Sequence, residues 1–115
     1  MAVSSLTGVA NRHDFDTSFT NEYDTNQTAA TIITPTSGKL AAVKGIYINT
    51  EGNSGKIRVY FGTSNNTIHT IFPAATPASG YVPVVISGAR NEVIKVTSTV
   101  GNGNNYFLQI NYKEE

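Results

Sequence analysis

The sequence predicts an all-β fold, and three observations lead to that prediction. Ile and Val together number 20 against three Leu among 115 residues, and β-branched residues favour strands whereas helical cores favour Leu. Short segments alternate apolar and polar residues, which is the period of a strand with one buried face. Clusters of Gly, Asn, Ser and Pro separate these segments about every ten residues, a spacing typical of β-sandwiches and β-barrels.

Eight segments have this strand pattern, and no segment has a clean helical period. In chain order they are 13–24, 26–34, 39–50, 56–63, 67–72, 81–87, 92–100 and 106–112. This pattern predicts a single antiparallel β-sandwich of eight strands, of jelly-roll or similar Greek-key type. An immunoglobulin-like topology is the alternative, although the Cys–Trp–Cys core of many such domains is absent.

The first predicted strand has the properties of a sheet edge. Its alternation places Phe15, Thr17 and Phe19 on one face. Asp14 and Asp16 point the other way, and charged side chains on an edge prevent it from pairing with other molecules. The pattern therefore predicts an edge strand near the N-terminus.

Three later strands carry features that predict departures from a regular sheet. Gly45 lies inside the third segment and predicts a β-bulge or the close approach of another part of the chain. Pro83 predicts that the sixth segment is an edge or bulged strand, because proline lacks the N–H that a central strand needs. In the fifth segment the alternation places Ile68, Thr70 and Phe72 on one face.

The N-terminal residues have no strand or helix period. We interpret residues 1–12 as an extended arm that precedes a sandwich domain at 13–115. The apolar side chains of the arm and the two phenylalanines of the first strand are the candidate assembly contacts: Val3, Leu6, Val9, Phe15 and Phe19. No secretory signal is recognisable in this segment, so synthesis in the cytoplasm is expected.

Charge and cysteine content exclude several classes of protein. Eight Lys+Arg balance eight Asp+Glu, so the formal net charge is zero. Nucleic-acid binders present a basic stripe, and proteins of membrane surfaces present a polybasic segment. Apolar stretches such as 82–86 are far too short to span a bilayer. Without Cys the chain has no disulfide, no thiolate zinc site and no thiol nucleophile.

Catalytic and metal-binding patterns are also weak. His13, Asp14 and Asp16 form one cluster that could hold an ion, but neighbouring residues on a strand face opposite sides. Glu22 and Asp24 resemble a calcium loop in composition, without the glycine and the spacing of an EF-hand. No nucleophile elbow and no placed pair of carboxylates is recognisable. We therefore expect no metal, no cofactor and no enzymatic activity.

Tyr47 and Tyr60 are candidate exposed binding aromatics. Each is out of phase with the apolar face of its own strand, so both are expected on an outer face of the sandwich. Tyrosine presents an apolar ring with a polar tip, which suits contact with a carbohydrate or a protein. The alternative is that both form ordinary cross-strand pairs on a solvated sheet.

Two runs of the sequence carry a family resemblance. They are ITPTSGKLAAVKGIYINTEGNSGKIRVYFG (33–62) and ASGYVPVVISGARNEVIKVTSTVGNGNNYFLQINYKEE (78–115). These runs resemble small β-sandwich structural proteins of tailed bacterial viruses. The resemblance is carried by strand and turn motifs that include SGK, G-[IV]-Y-[IV], G-x-[IV]-x-[VL]-x-F-G and the closing [FL]-x-[IV]-N-Y-x-E-E. The resemblance covers about residues 28–115 and carries over no functional residue. It implies a capsid decoration or accessory role on the virion, and homo-oligomerisation.

We therefore expect a non-enzymatic virion structural protein, made in the host cytoplasm. Its expected partners are other copies of itself and the major capsid protein or other virion proteins. A host glycan is a further candidate. No binding to nucleic acid or to a membrane is expected. The arm and the adjacent edge would add to the sheet of a neighbour. Two alternatives remain open: a carbohydrate- or receptor-binding module, and an extracellular filament subunit that uses donor-strand exchange.

Overall fold

Alternating apolar and polar residues form nine strands and no helix in the part of the chain that the structure describes. The structure is a computed structural model that describes residues 15–50, 55–72, 79–100 and 105–115. The strands are β1 (Thr17–Tyr23), β2 (Ala30–Ile33), β3 (Ala41–Thr50), β4 (Ile57–Phe61), β5 (Thr67–Ile71), β6 (Ser79–Val82), β7 (Ile86–Ser87), β8 (Ile94–Ser98) and β9 (Tyr106–Glu114). The predicted all-β class is confirmed.

The strands form two antiparallel sheets. The first sheet has the order β1-β9-β3-β6, with β7 also paired to β3, and the second has the order β2-β8-β4-β5. Every strand pair in both sheets is antiparallel. The predicted edge position of the first strand is confirmed, because β1 is an outer strand of the first sheet.

Side chains from both sheets meet in one hydrophobic core. In the first sheet, Leu108 and Ile110 of β9 are fully buried, and in the second, Ile57 and Val59 of β4 are as well. Residues two apart on a strand point to the same side, so these alternate residues form the inner faces of two sheets packed against each other. The fold is therefore β-sandwich-like.

The predicted strand 81–87 is divided in two. Its halves, β6 and β7, both pair with β3 and are separated by Pro83, Val84 and Val85. Proline has no N–H to donate to a ladder, and the pairing is interrupted by a tight local turn in which the Val84 N–H donates to the Val82 carbonyl at 2.9 Å. The edge position that Pro83 predicts is confirmed.

Gly45 occupies a bulge, as its place in the third segment predicts. The register between β3 and β9 shifts between Val43 and Gly45. The ring of Tyr81 lies directly over Gly45, since a Cβ added there would be 2.6 Å from the Tyr81 Cζ. The glycine therefore lets the phenol end of the Tyr81 ring approach the backbone of β3 closely.

The fifth strand differs from its predicted phase. The alternation places Phe72 on the same face as Ile68, but Ile68 is buried and 71% of Phe72 is exposed, whereas Ile71 packs against the core. The cause is a bulge between Val59 and Tyr60 of β4, where the pairing partners change from His69 to Thr67. One unpaired residue in β5 reverses the alternation that follows it.

One end of the sandwich is tied together by hydrogen bonds between loops. The Asn91 Oδ1 accepts the Gly38 N–H at 2.6 Å, and the Arg90 Nη1 donates to the Gly38 carbonyl at 2.9 Å. The carboxylate of Glu92, which is only 4% exposed, accepts the backbone N–H groups of Thr63 and Ser64 in the turn after β4 and that of Ala89 in its own loop. Loops of both sheets are thereby held in fixed relative positions.

Gly88 is packed so closely that we expect an added methyl group to destabilise the fold. A Cβ at Gly88 would lie 2.6 Å from the Phe61 Cε1, and the Phe61 ring is 1% exposed. The ring has no space to move, so Gly88→Ala should lower the free energy of unfolding by about 1–3 kcal/mol. Urea unfolding measures this, with Gly80→Ala as a control because nothing lies within 4 Å of a Cβ there. Equal stability of the Gly88→Ala variant and the wild type would contradict the packing.

The predicted N-terminal arm cannot be compared with the structure. Residues 1–12, with the candidate contacts Val3, Leu6 and Val9, lie outside the described residues.

Candidate functional site

The outer face of the first sheet carries the most varied set of polar and aromatic side chains. Because Tyr106, Leu108 and Ile110 of β9 point into the core, the intervening residues point outward. The same alternation in the paired strands assigns to this outer face Ser18, Thr20, Glu22, Tyr47, Asn49, Tyr81, Phe107, Gln109 and Asn111.

Phe107 lines a shallow depression on this face. It is paired with Glu22 of β1 on one side and with Asn49 of β3 on the other, and side chains at such positions are direct neighbours. The depression has a volume of about 170 Å³ and is lined by Glu22, Asn49, Asn105, Tyr106 and Phe107. We call it the Phe107 depression.

Two tyrosines extend the aromatic surface away from the Phe107 depression. The Tyr47 ring meets the Phe107 ring edge-on, with centroids 6.2 Å apart and an interplanar angle of 68°. Tyr81 is paired with Tyr47 across β3 and β6, and 41% of it is exposed. Three aromatic side chains therefore follow one another across the outer face.

Tyr106, the neighbour of Phe107 in β9, has its side chain held firmly in the core. Tyr106 is 1% exposed, stacks on Tyr23 at a centroid distance of 5.0 Å, and donates its hydroxyl to the Ser98 Oγ at 2.8 Å. Burial raises the pKa of Tyr106 to about 12, with the charge of Tyr23 adding to the rise and the bond to Ser98 opposing it. The phenol therefore stays protonated at neutral pH and acts as a structural group.

A polar network holds the neighbouring part of the face. The Asn111 Oδ1 accepts the Ser18 hydroxyl at 2.8 Å and the Gln109 Nε2–H at 3.0 Å. These bonds join the outer faces of β1 and β9 and fix the Gln109 side chain in position.

The structure does not bring Tyr47 and Tyr60 together. Tyr60 lies on β4 in the other sheet, and the expected exposure is corrected, because only 7% of Tyr60 is exposed. Its phase is as predicted, but the Arg58 guanidinium lies over the ring, 4.2 Å from its centroid. Arg58 is itself held by Asn65 and Thr67, and the Tyr60 hydroxyl bonds to the Thr97 Oγ1 at 3.0 Å. Tyr60 is thus covered, whereas Tyr47 is half-buried on the other side of the sandwich.

Phe15 and Phe19 are both half-buried beside the edge of the first sheet. Phe19 is paired with Ile110 and packs against the core of its own domain. Phe15 lies just before β1, where the chain enters from the N-terminal segment. Of the two, Phe19 is already engaged in intramolecular packing.

Groups that could support catalysis or hold a metal are sparse in the described residues. No three His, Asp or Glu side chains in these ranges lie close enough to hold an ion. His69 is half-buried, and burial lowers its pKa, so the imidazole is neutral at neutral pH. His13 and Asp14, which form the cluster considered from the sequence, lie outside the described residues. Within those residues, no helix has the length and apolarity needed to cross a bilayer.

Two comparisons with known proteins gave no match. No protein-family model matches the chain, and no curated protein matches it significantly. The site must therefore be interpreted from its own chemistry.

The sequence did not indicate Phe107 or Asn49 as site residues, and Glu22 was considered only as part of a calcium-like loop. The signal was present, because Phe107 is out of phase with its buried neighbours Tyr106 and Leu108 just as Tyr47 is with Ile46 and Ile48. What the sequence could not supply was the pairing of β1, β9 and β3, which brings the three side chains into one row.

Proposed function

We propose that the chain is a non-enzymatic structural protein of a virus particle, a capsid decoration or accessory protein that binds the particle surface and associates with its own copies. The observation that carries the proposal is the order of the strands. If β6 and β7 count as one strand interrupted at Pro83, eight strands form two four-stranded sheets with the orders β1-β9-β3-β6/β7 and β2-β8-β4-β5.

This order supports the inference of a jelly roll. The chain passes from the first sheet to the second between β1 and β2, returns with β3, and crosses again before β4, β6, β8 and β9. Two interlocked Greek keys of this kind are typical of viral capsid domains and lectins. A fold alone does not define a function, so the proposal also depends on the features of the sequence.

Composition and resemblance support the same role. The motifs in 33–62 and 78–115 resemble structural proteins of tailed bacterial viruses. Only 14% of the residues are charged and the net charge is zero, and charged residues are depleted at the centres of protein interfaces. Such a surface suits contact with many copies of a capsid protein, where repetition strengthens weak individual contacts.

The edge of the first sheet supplies a route to self-association. In the described residues β1 pairs with β9 alone, so the other side of its seven-residue backbone is available to an added strand. Residues 1–12, if extended, reach at most about 40 Å, which is close to the 45 Å long axis of the domain. The arm of one copy would therefore reach the edge of a neighbour and pair with it by β-augmentation.

Sedimentation velocity and negative-stain electron microscopy of the purified full chain test this proposal. We expect a discrete oligomer or a regular assembly at micromolar concentration. A chain that stays monomeric over the whole concentration range, and that also fails to co-sediment with virus particles lacking it, would contradict the proposal.

A further inference from the structure

We propose that the outer face of the first sheet binds a neutral saccharide, with one sugar ring seated in the Phe107 depression. This site is independent of the assembly role and uses a face of the sandwich away from the backbone edge of β1. The site also differs from the one expected from the sequence, which combined Tyr47 with Tyr60. Tyr60 lies in the second sheet, where Arg58 covers its ring.

The Phe107 ring provides a flat aromatic platform. Phe107 is half-buried, so part of its ring faces solvent. It is fixed from both sides by strand pairing and by the edge-on contact with Tyr47. An aromatic ring held rigidly on a sheet offers the flat apolar surface on which the C–H face of a sugar ring stacks.

Polar side chains form a rim around the Phe107 ring. The Glu22 carboxylate is exposed and accepts hydrogen bonds, whereas the amides of Asn49 and Asn105 both donate and accept. Hydroxyl groups on a sugar ring also donate and accept, so such a rim matches them on two sides of the platform. A purely apolar ligand would make no hydrogen bonds to the Glu22 carboxylate or the Asn49 amide and would displace water from them, at a cost in affinity.

The volume and the charge of the Phe107 depression also match a neutral sugar ring. The depression measures about 170 Å³, which is below the roughly 300–1,000 Å³ of pockets for drug-sized ligands and suits one small ring. Among the lining residues in the described ranges Glu22 alone is charged, and its negative charge disfavours phosphates and acidic sugars. The exposed Tyr81, beyond Tyr47, would contact a second ring of a longer glycan.

A glycan array and saturation-transfer difference NMR test the proposal with the full chain. The array should contain neutral and sialylated glycans, and the NMR probes are glucose, galactose, mannose and N-acetylglucosamine. We expect binding to neutral glycans, and saturation transfer to at least one of the four sugars. Absence of binding in both experiments, or a preference for sialylated glycans, would overturn the proposal.

Three variants localise the binding. Phe107→Ala removes the platform, and Glu22→Gln changes the rim at an exposed position where folding is not at risk. Each should weaken binding at least about tenfold. Phe72→Ala removes another exposed aromatic, at the end of β5 in the second sheet, and should leave binding unchanged. If Phe72→Ala abolishes binding, or if both site variants bind as the wild type does, the assignment to the Phe107 depression is wrong.

Discussion

Glu92→Gln is expected to lower the free energy of unfolding by about 2–4 kcal/mol at neutral pH. The Glu92 Oε2 accepts the N–H groups of Thr63 at 3.0 Å and Ser64 at 2.5 Å, and the Oε1 accepts the N–H of Ala89 at 3.0 Å. A glutamine has one acceptor oxygen for these three donors, and its NH₂ would face at least one of them. The variant therefore loses charge-assisted bonds and leaves at least one of these partly buried N–H groups without its acceptor.

The loss should depend on pH in a defined direction. Burial by itself raises the pKa of Glu92, but hydrogen bonds from Ala89, Ser64 and Thr63 outweigh it and hold the pKa below its usual value. A carboxyl with a lowered folded-state pKa contributes its full stabilisation above the unfolded-state pKa, and the contribution disappears as the pH falls through the folded-state pKa. The stability difference between wild type and Glu92→Gln should therefore be constant near neutral pH and shrink below about pH 4.

Urea unfolding at several pH values measures both effects. Glu114→Gln is the matched control, because Glu114 also accepts a backbone N–H, that of Thr36 at 3.1 Å, but at an exposed position. It should cost less than about 1 kcal/mol. A Glu92→Gln variant as stable as the control, or a difference independent of pH, would contradict the role given to this carboxylate.

Changes in the N-terminal arm should abolish self-association without unfolding the sandwich. We expect this of the triple variant Val3→Asp, Leu6→Asp, Val9→Asp and of a chain that lacks residues 1–12. An added strand gains its affinity from main-chain bonds and from side chains that fill pockets along the edge. Three buried carboxylates would oppose that docking strongly. Sedimentation should show association weakened by at least about tenfold.

Two comparisons separate the arm from general effects. Val85→Asp adds a charge to an exposed apolar residue of the domain, which is 63% exposed, and should leave association unchanged. Thermal unfolding should give the same midpoint for the triple variant and the wild type at a concentration where both are dissociated. If the truncated chain assembles normally, the arm does not mediate self-association.

Much of the fold follows from local patterns in the sequence. Alternation locates the strands, Gly45 marks a bulge that the structure contains, and Pro83 marks an edge. Each of these features depends on residues close together in the chain. The phase of Phe72 does not follow from local patterns, because no glycine or proline marks the β5 bulge opposite Tyr60.

The candidate site and the buried carboxylate were not predictable for the same physical reason. Tyr47 and Tyr60 have similar settings in the sequence, but their exposure depends on which sheet each strand joins and on Arg58, which covers one of them. Glu92 is an ordinary acid in the sequence, and its partners Thr63 and Ser64 are brought to it only by the packing of loops. Contacts between distant segments carry no local signature.

Analysis of virus particles tests the central claim most directly. Particles purified from a host that carries this gene should be examined by mass spectrometry and by immunogold labelling with an antibody against the chain. A structural protein of the particle surface should be present in many copies per particle, and intact particles should bind the antibody on the outside. If the chain is absent from purified particles while it is abundant in the infected cell, it is not a virion structural protein.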